Sequence, residues 1–189
     1  MVQLHHDTKI LQHTRRTPAR CGFTLIEILV TVAIMGIASS LVIPYMSTMP
    51  SFETEAAARQ IVADLSYAQS DAMARQTKRR VLFENDGSGY RLLGDGFVSN
   101  QDELYDPIAH NGDQRYIVNF MTDERFQNVS IESASFDSGN SFITYDELGG
   151  PIDEAGGPST GGTIVVKGKN EKFQITVSPF TGRISVTKL

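Results

Sequence analysis

The sequence predicts an α+β protein, in which a long N-terminal helix packs on an antiparallel β-rich domain. Three observations lead there. Phe23 to Tyr45 is an almost unbroken apolar run whose one charged side chain is Glu27. Ala58, Ile61, Leu65, Ala68 and Ala72 follow the three-and-four spacing of an amphipathic helix. After Lys78 the period shortens to two, with runs rich in Val, Ile, Phe and Tyr separated by Gly, Asn and Asp.

The 189 residues suit one medium-sized domain with an appendage. Residues 1–22 read as a leader carrying Lys9, Arg15, Arg16 and Arg20 against the single acid Asp7. Residues 23–45 follow as an apolar helix about 30 Å long, enough to cross a hydrocarbon core of about that thickness. A basic flank tends to stay cytoplasmic, which sends everything after Tyr45 across the membrane. Within the span Pro44 is expected to bend the helix as it leaves the membrane, and Gly36 to permit close helix packing.

Residues 46–77 continue the helix in amphipathic form. Glu53, Arg59, Asp64, Asp71 and Arg75 fall mostly away from its alanine-rich face, which is predicted to lie close against a sheet. Residues 78–189 form the β-rich domain. RRVLFEN and GYRLL flank Asp86-Gly87-Ser88 as a hairpin, and RYIVNFM, SFITY, GTIVVK, KFQITVS and RISVT are further strands. GGPIDEAGGPSTGG reads as an excursion between strands, and Thr181-Gly182 as a turn.

Charge and residue inventory exclude several functions. The sequence has 17 basic and 22 acidic residues, and removal of 1–22 takes four bases and one acid, moving the net charge from -5 to -8. So acidic a product disfavours a broad nucleic-acid surface. Cys21, the sole cysteine, lies ahead of the apolar run, so the exported part is expected to be held by packing without disulfides. His5, His6 and His13 fall in the leader, leaving His110 without the histidine partners that a catalytic zinc needs. Gly87-Ser88-Gly89 lacks the spacing of a nucleophile elbow. No cofactor, metal or enzymatic activity is expected. Calcium is the weaker alternative for the acidic loops around Asp95, Asp102, Glu103, Asp106 and Asp113, or Asp146, Glu147, Asp153 and Glu154, whose spacing matches no EF-hand.

The order of basic leader, Gly22, Phe23-Thr24-Leu25-Ile26-Glu27 and apolar helix resembles the type IV prepilin signal shared by pilins and pseudopilins. AARQIVADLSYAQSDAMARQ and the terminal ITVSPFTGRISV resemble the helix and closing strands of GspH/FimT-type minor pseudopilins. The middle, from Gly94 to Gly162, carries no such likeness and reads as variable loop and strand. The resemblance implies a pilin-like fold and cleavage between Gly22 and Phe23 by a prepilin peptidase, which also methylates the new N-terminus. It further implies that Glu27 pairs with the amine of a neighbouring mature Phe23. A carboxylate within a membrane costs about 2.5–3.5 kcal/mol unless partnered, so the pair would fix the stagger between subunits. The plainer alternative is that Glu27 only favours its own helix N-terminus.

The implied function is a non-enzymatic minor pseudopilin in type II secretion. It would sit in the inner membrane with its domain in the periplasm, contacting lipid, other major and minor pseudopilins, and secreted cargo. The alternative is a FimT-like minor type IV pilin that binds extracellular DNA during uptake; the acidity and the sparse Arg183 and Lys188 near the C-terminus count against it.

Overall fold

The computed structural model describes residues 23–46, 49–106, 114–126 and 128–189, with the backbone alone over 40–51. It divides into two units, Met1–Ile43 and Pro44–Leu189. The leader lies outside the described residues, as do 47 and 48, on which the predicted continuity of the two helical segments rests.

Helix α1, Leu25–Met46, takes up most of the described part of the first unit and ends just past its boundary, with Glu27 in its first turn. Leu25, Ile26, Leu29, Val32 and Met35 are all exposed, so α1 is apolar around its circumference. Such a helix belongs in a protein core or a membrane. Among the described residues no helix is long and apolar enough to cross a membrane. Described side chains in α1 end at Ser39, and the span predicted over 23–45 runs on past them.

The principal helix of the second unit is α2, Met49–Arg75. Ala57, Ala58, Ile61, Leu65, Ala68 and Ala72 form its fully covered face, as the spacing predicts. Burial of Ile61 and Leu65 stabilises by about 1.5–3 kcal/mol each, while the alanines let the helix approach closely. The helix ends where Gln76 turns left-handed, at φ 51°. Thr77 N–H then reaches back to the Ala72 carbonyl at 3.3 Å, closing the last turn.

The strands are β1 (Arg79–Phe83), β2 (Gly89–Leu93), β3 (Ile117–Asn119), β4 (Ser130–Phe136), β5 (Phe142–Tyr145), β6 (Pro151–Ile152), β7 (Gly162–Lys167), β8 (Lys172–Val177) and β9 (Ile184–Lys188). They make two sheets, ordered β3-β2-β1-β5-β6 and β4-β7-β8-β9, with antiparallel neighbours throughout. Helix α2 packs on β1 and β5 of the first sheet and on β7 and β8 of the second. Phe83, Tyr90, Phe120, Phe126 and Phe136 join the core as a series of rings with centroids 5.1 to 6.0 Å apart.

The β1–β2 hairpin turns at Asp86-Gly87-Ser88 as predicted, with Asp86 Oδ1 accepting the Ser88 N–H at 2.9 Å. Gly87 has φ +72°, and a Cβ there would come within 2.3 Å of the Ile131 carbonyl oxygen. Glycine therefore permits both the turn and the Ile131 N–H to Gly87 carbonyl bond, 3.0 Å, which ties the hairpin to β4.

Two strands escape the sequence pattern. In β4, SIESASF, small and acidic residues break the alternation, and only pairing with β7 across an irregularity between Ile131 and Ser133 makes it a strand. The two residues of β6 lie inside the predicted excursion and pair with Thr144 and Tyr145. A third departure concerns Asp64, which the spacing places mostly off the apolar face: it is only 2% exposed.

Candidate functional site

The N-terminal segment places two of the three site residues read from the sequence. Gly22 lies outside the described residues. Phe23 is 75% exposed, two residues ahead of α1. Glu27 is exposed in the first turn, where a carboxylate complements the positive end of the helix dipole.

Thr24 explains the helix start, and the sequence reading overlooked it. Its Oγ1 accepts the Glu27 N–H at 3.3 Å, and its carbonyl accepts Glu27 N–H at 3.1 Å and Ile28 N–H at 3.3 Å. Thr24-Leu25-Ile26-Glu27 has the form of a capping box, and that signal was present in the sequence. Further along, Thr31 Oγ1 donates to the Ile28 carbonyl and Ser39 Oγ to the Met35 carbonyl. Those hydroxyls are thereby satisfied within the helix, as an apolar environment demands. At Gly36 a Cβ would meet nothing within 4 Å, leaving a flat spot on the helix.

The globular unit holds its helix with buried polar groups. Asp64 accepts the Tyr90 hydroxyl through Oδ2 and, through Oδ1, the Tyr116 hydroxyl at 2.8 Å and Gln60 Nε2 at 2.9 Å. Burial pushes its carboxyl above the usual range, and the three hydrogen bonds oppose that shift without cancelling it. Burial likewise raises both tyrosines, reinforced by the adjacent Asp64 charge. Asp71 behaves oppositely: burial works against its charge, but Arg75 at 2.8 Å and Arg79 at 2.6 Å hold its carboxyl below the usual range.

Further along α2 than Asp64, Gln69 Nε2 donates to the Gly149 carbonyl at 2.7 Å and the Thr181 carbonyl at 3.2 Å. One side chain of α2 thus secures the β5–β6 and β8–β9 turns. Thr181-Gly182 is a turn, as predicted, with Gly182 at φ +64°.

Several of the remaining candidates are occupied by structural bonds. Lys172 meets Glu132 at 2.7 Å and Lys188 meets Glu171 at 2.5 Å, so two lysines of the C-terminal sheet are neutralised. Asp146 Oδ1 accepts the N–H groups of Leu148 and Gly150, and Asp153 Oδ1 accepts that of Gly157, which makes these acids turn scaffolds. Glu103 pairs with Arg91 at 3.2 Å. Among the described residues no cluster of three or more His, Cys, Asp or Glu is placed to hold a metal. His110 lies outside them.

Residues 17–43 match the prokaryotic N-terminal methylation motif. No curated protein matches this one in sequence. Similar solved structures include the type IV minor pilin FimU of Pseudomonas aeruginosa, at 19% identity and TM-score 0.46, covering 72% of this chain and 90% of that one. The minor pseudopilin EpsH from the type 2 secretion system of Vibrio cholerae is another, at 12% identity and TM-score 0.47, covering 72% of this chain and 97% of that one. Residues 57–182, from the covered face of α2 to the Gly182 turn, match the family described as type II transport protein GspH, and the chain belongs to that family.

Proposed function

We propose that the protein is a minor pseudopilin, a structural subunit of a short periplasmic pseudopilus in type II secretion. The observation that carries this reading is the pairing, in one polypeptide, of a methylation motif over 17–43 with a GspH-family domain over 57–182. Prepilin peptidase cuts between Gly22 and Phe23 and methylates Phe23. The helix over 23–45 then anchors the protein in inner-membrane lipid, with the domain in the periplasm beside other major and minor pseudopilins and secreted cargo. Glu27 meets the amine of a neighbouring Phe23 and sets the stagger between subunits. Its exposure in the first turn of a capped helix supports that role, because the cap is made by Thr24 Oγ1 and leaves the carboxylate outward.

The DNA-uptake reading finds little support at the C-terminus, where Lys188 is matched by Glu171 and Lys172 by Glu132, which leaves the exposed Arg183 as a single cation rather than a patch. Phosphate binding draws on unmatched cations.

The test is expression of the whole protein with its peptidase in the native host. Mass spectrometry is expected to find methylated Phe23 as the N-terminus, and deletion is expected to reduce secretion while leaving DNA uptake intact. A mature N-terminus beyond residue 45 would overturn the processing. Lost DNA uptake with normal secretion would overturn the pseudopilin reading in favour of the pilin.

A further inference from the structure

Strand β1 alternates between core and outer face: Val81 and Phe83 are buried against the core, while Arg80 lies on the opposite side. There Arg80 Nε donates to Oγ1 of Thr144, its partner across β5, at 3.0 Å. Its Cζ lies 4.0 Å from the ring centroids of both Phe97 and Phe142. The guanidinium is thus oriented by one hydrogen bond and two aromatic contacts.

That arrangement leaves the terminal nitrogens. Among the described residues Arg80 forms no ion pair, and its Nη groups meet no protein acceptor. Arg80 helps to line a half-open cavity of about 110 Å³, together with Lys78, Phe97, Thr144, Ile152 and Glu154. An arginine always carries its charge, and burial of this one penalises that charge with only the field of Glu154 to offset it. A planar donor fork at the edge of a small cavity suits a planar acceptor with two oxygens.

We propose that this cavity is a binding site for a carboxylate presented by another polypeptide, gripped by the Arg80 fork between Phe97 and Phe142. The small volume suits a carboxylate with a few carbons. Lys78 and Arg80 are balanced in the lining by Asp153 and Glu154, which favours a singly charged ligand over a phosphate dianion. Asp153 is already committed to the Gly157 N–H at 2.7 Å. Glu154 therefore acts as the electrostatic competitor, and a docking carboxylate displaces its influence on Arg80. This inference does not depend on the proposed secretion role.

Two sources supply the same chemistry, an Asp or Glu side chain or the free C-terminus of a polypeptide, and short peptides separate them. The full-length protein in detergent micelles is titrated with acetyl-Gly-Glu-Gly-amide, its Gln counterpart, acetyl-Gly-Gly-Gly with a free C-terminus, and inorganic phosphate. Amide NMR shifts of Ala155, Gly156 and Phe97 report binding. Saturable shifts are expected with one or both carboxylate peptides, and none with the Gln peptide. Arg80→Gln is expected to weaken binding about tenfold or more, as loss of a charged hydrogen-bonded partner does. Arg80→Lys, which keeps the charge without the fork, is expected to weaken it severalfold, and Glu154→Gln, on an exposed turn, to tighten it severalfold. Absence of saturable shifts, stronger binding of phosphate than of either carboxylate, or wild-type affinity in Arg80→Gln would overturn the proposal. If Arg80→Gln fails to fold, Glu154→Gln decides: unchanged or weaker binding counts against the site.

Discussion

The Tyr90 hydroxyl on β2 donates to the Asp64 carboxylate on α2 inside the core, so an acid buried to 2% exposure joins helix to sheet. Tyr116 makes a second such bond from just before β3, and its ring stacks on Tyr67 of α2 at 5.6 Å. Helix and first sheet are thereby aligned by directional bonds as well as by apolar packing.

The Asp64 carboxyl sits above its unfolded value because burial outweighs its hydrogen bonds. A raised folded pKa gives stability that is fully present below the unfolded value, about 3.9, and is lost as pH rises through the folded value. Wild type is therefore expected to gain stability relative to Asp64→Asn as pH falls from 7 towards 4. The lowered Asp71, Glu103 and Glu132 work the opposite way, but they are common to both proteins and drop out of the difference. Paired urea denaturation across that range measures it. A difference that shrinks on acidification would show that Asp64 is not raised. Asp64→Ala is expected to cost about 1–3 kcal/mol at pH 7 and more at pH 4, since it strands the Tyr90 hydroxyl and loses the same protonation-linked stability.

Gly182 is expected to resist substitution for two separable reasons. Its φ of +64° penalises any side chain, and a Cβ would lie 3.0 Å from Gln69 Nε2 and 3.2 Å from Tyr145 Cε1. Gly156, with φ +86° and nothing within 4 Å, carries only the first cost. Gly182→Ala should lower stability by about 2–3 kcal/mol and Gly156→Ala by about 1–2 kcal/mol. Equal thermal shifts in the two variants would show that the Gln69 clamp yields freely.

Fragment 51–189 is expected to unfold cooperatively, with a midpoint unchanged by reductant. It contains no cysteine, and its core is complete within α2 and the two sheets. Circular dichroism during denaturation is the measurement. Noncooperative melting would mean that α1 or a partner subunit supplies missing core.

Variants at Thr24 and Glu27 separate helix capping from the proposed assembly role. Thr24→Val removes the Oγ1 acceptor and is expected to cost the helix start about 0.5–2 kcal/mol. Glu27→Gln keeps size and hydrogen bonding but removes the charge. It should be cleaved and inserted normally, yet crosslink poorly to partner pseudopilins and support less secretion. Glu27→Asp, with charge but shorter reach, should fall between. Normal crosslinking and secretion by Glu27→Gln would sink the stagger role and leave only the helix-dipole effect.

Periodicity determined much of this protein without reference to tertiary structure. Ala58, Ile61, Leu65, Ala68 and Ala72 share one face because 3.6 residues make a turn, and that face is the one buried. Asp86-Gly87-Ser88 turns because an Asx bond and a positive φ are properties of those residue types. The strands β7, β8 and β9 were legible for the same local reason: their β-branched runs favour extended backbone wherever they occur. The candidate site at Phe23 and Glu27 was equally local, as was the overlooked cap at Thr24. Tertiary structure alone decided the rest. β4 is a strand because β7 lies beside it, and β6 because Thr144 and Tyr145 pair with it. Asp64 is buried because tyrosines more than twenty residues away in sequence bring it hydrogen bonds, which no window on α2 contains. Arg80 reads as an ordinary strand arginine until β5 and the segment carrying Phe97 fold over it. Local dihedral and side-chain preferences are written in neighbouring residues, whereas burial of a charge depends on which distant groups arrive to satisfy it.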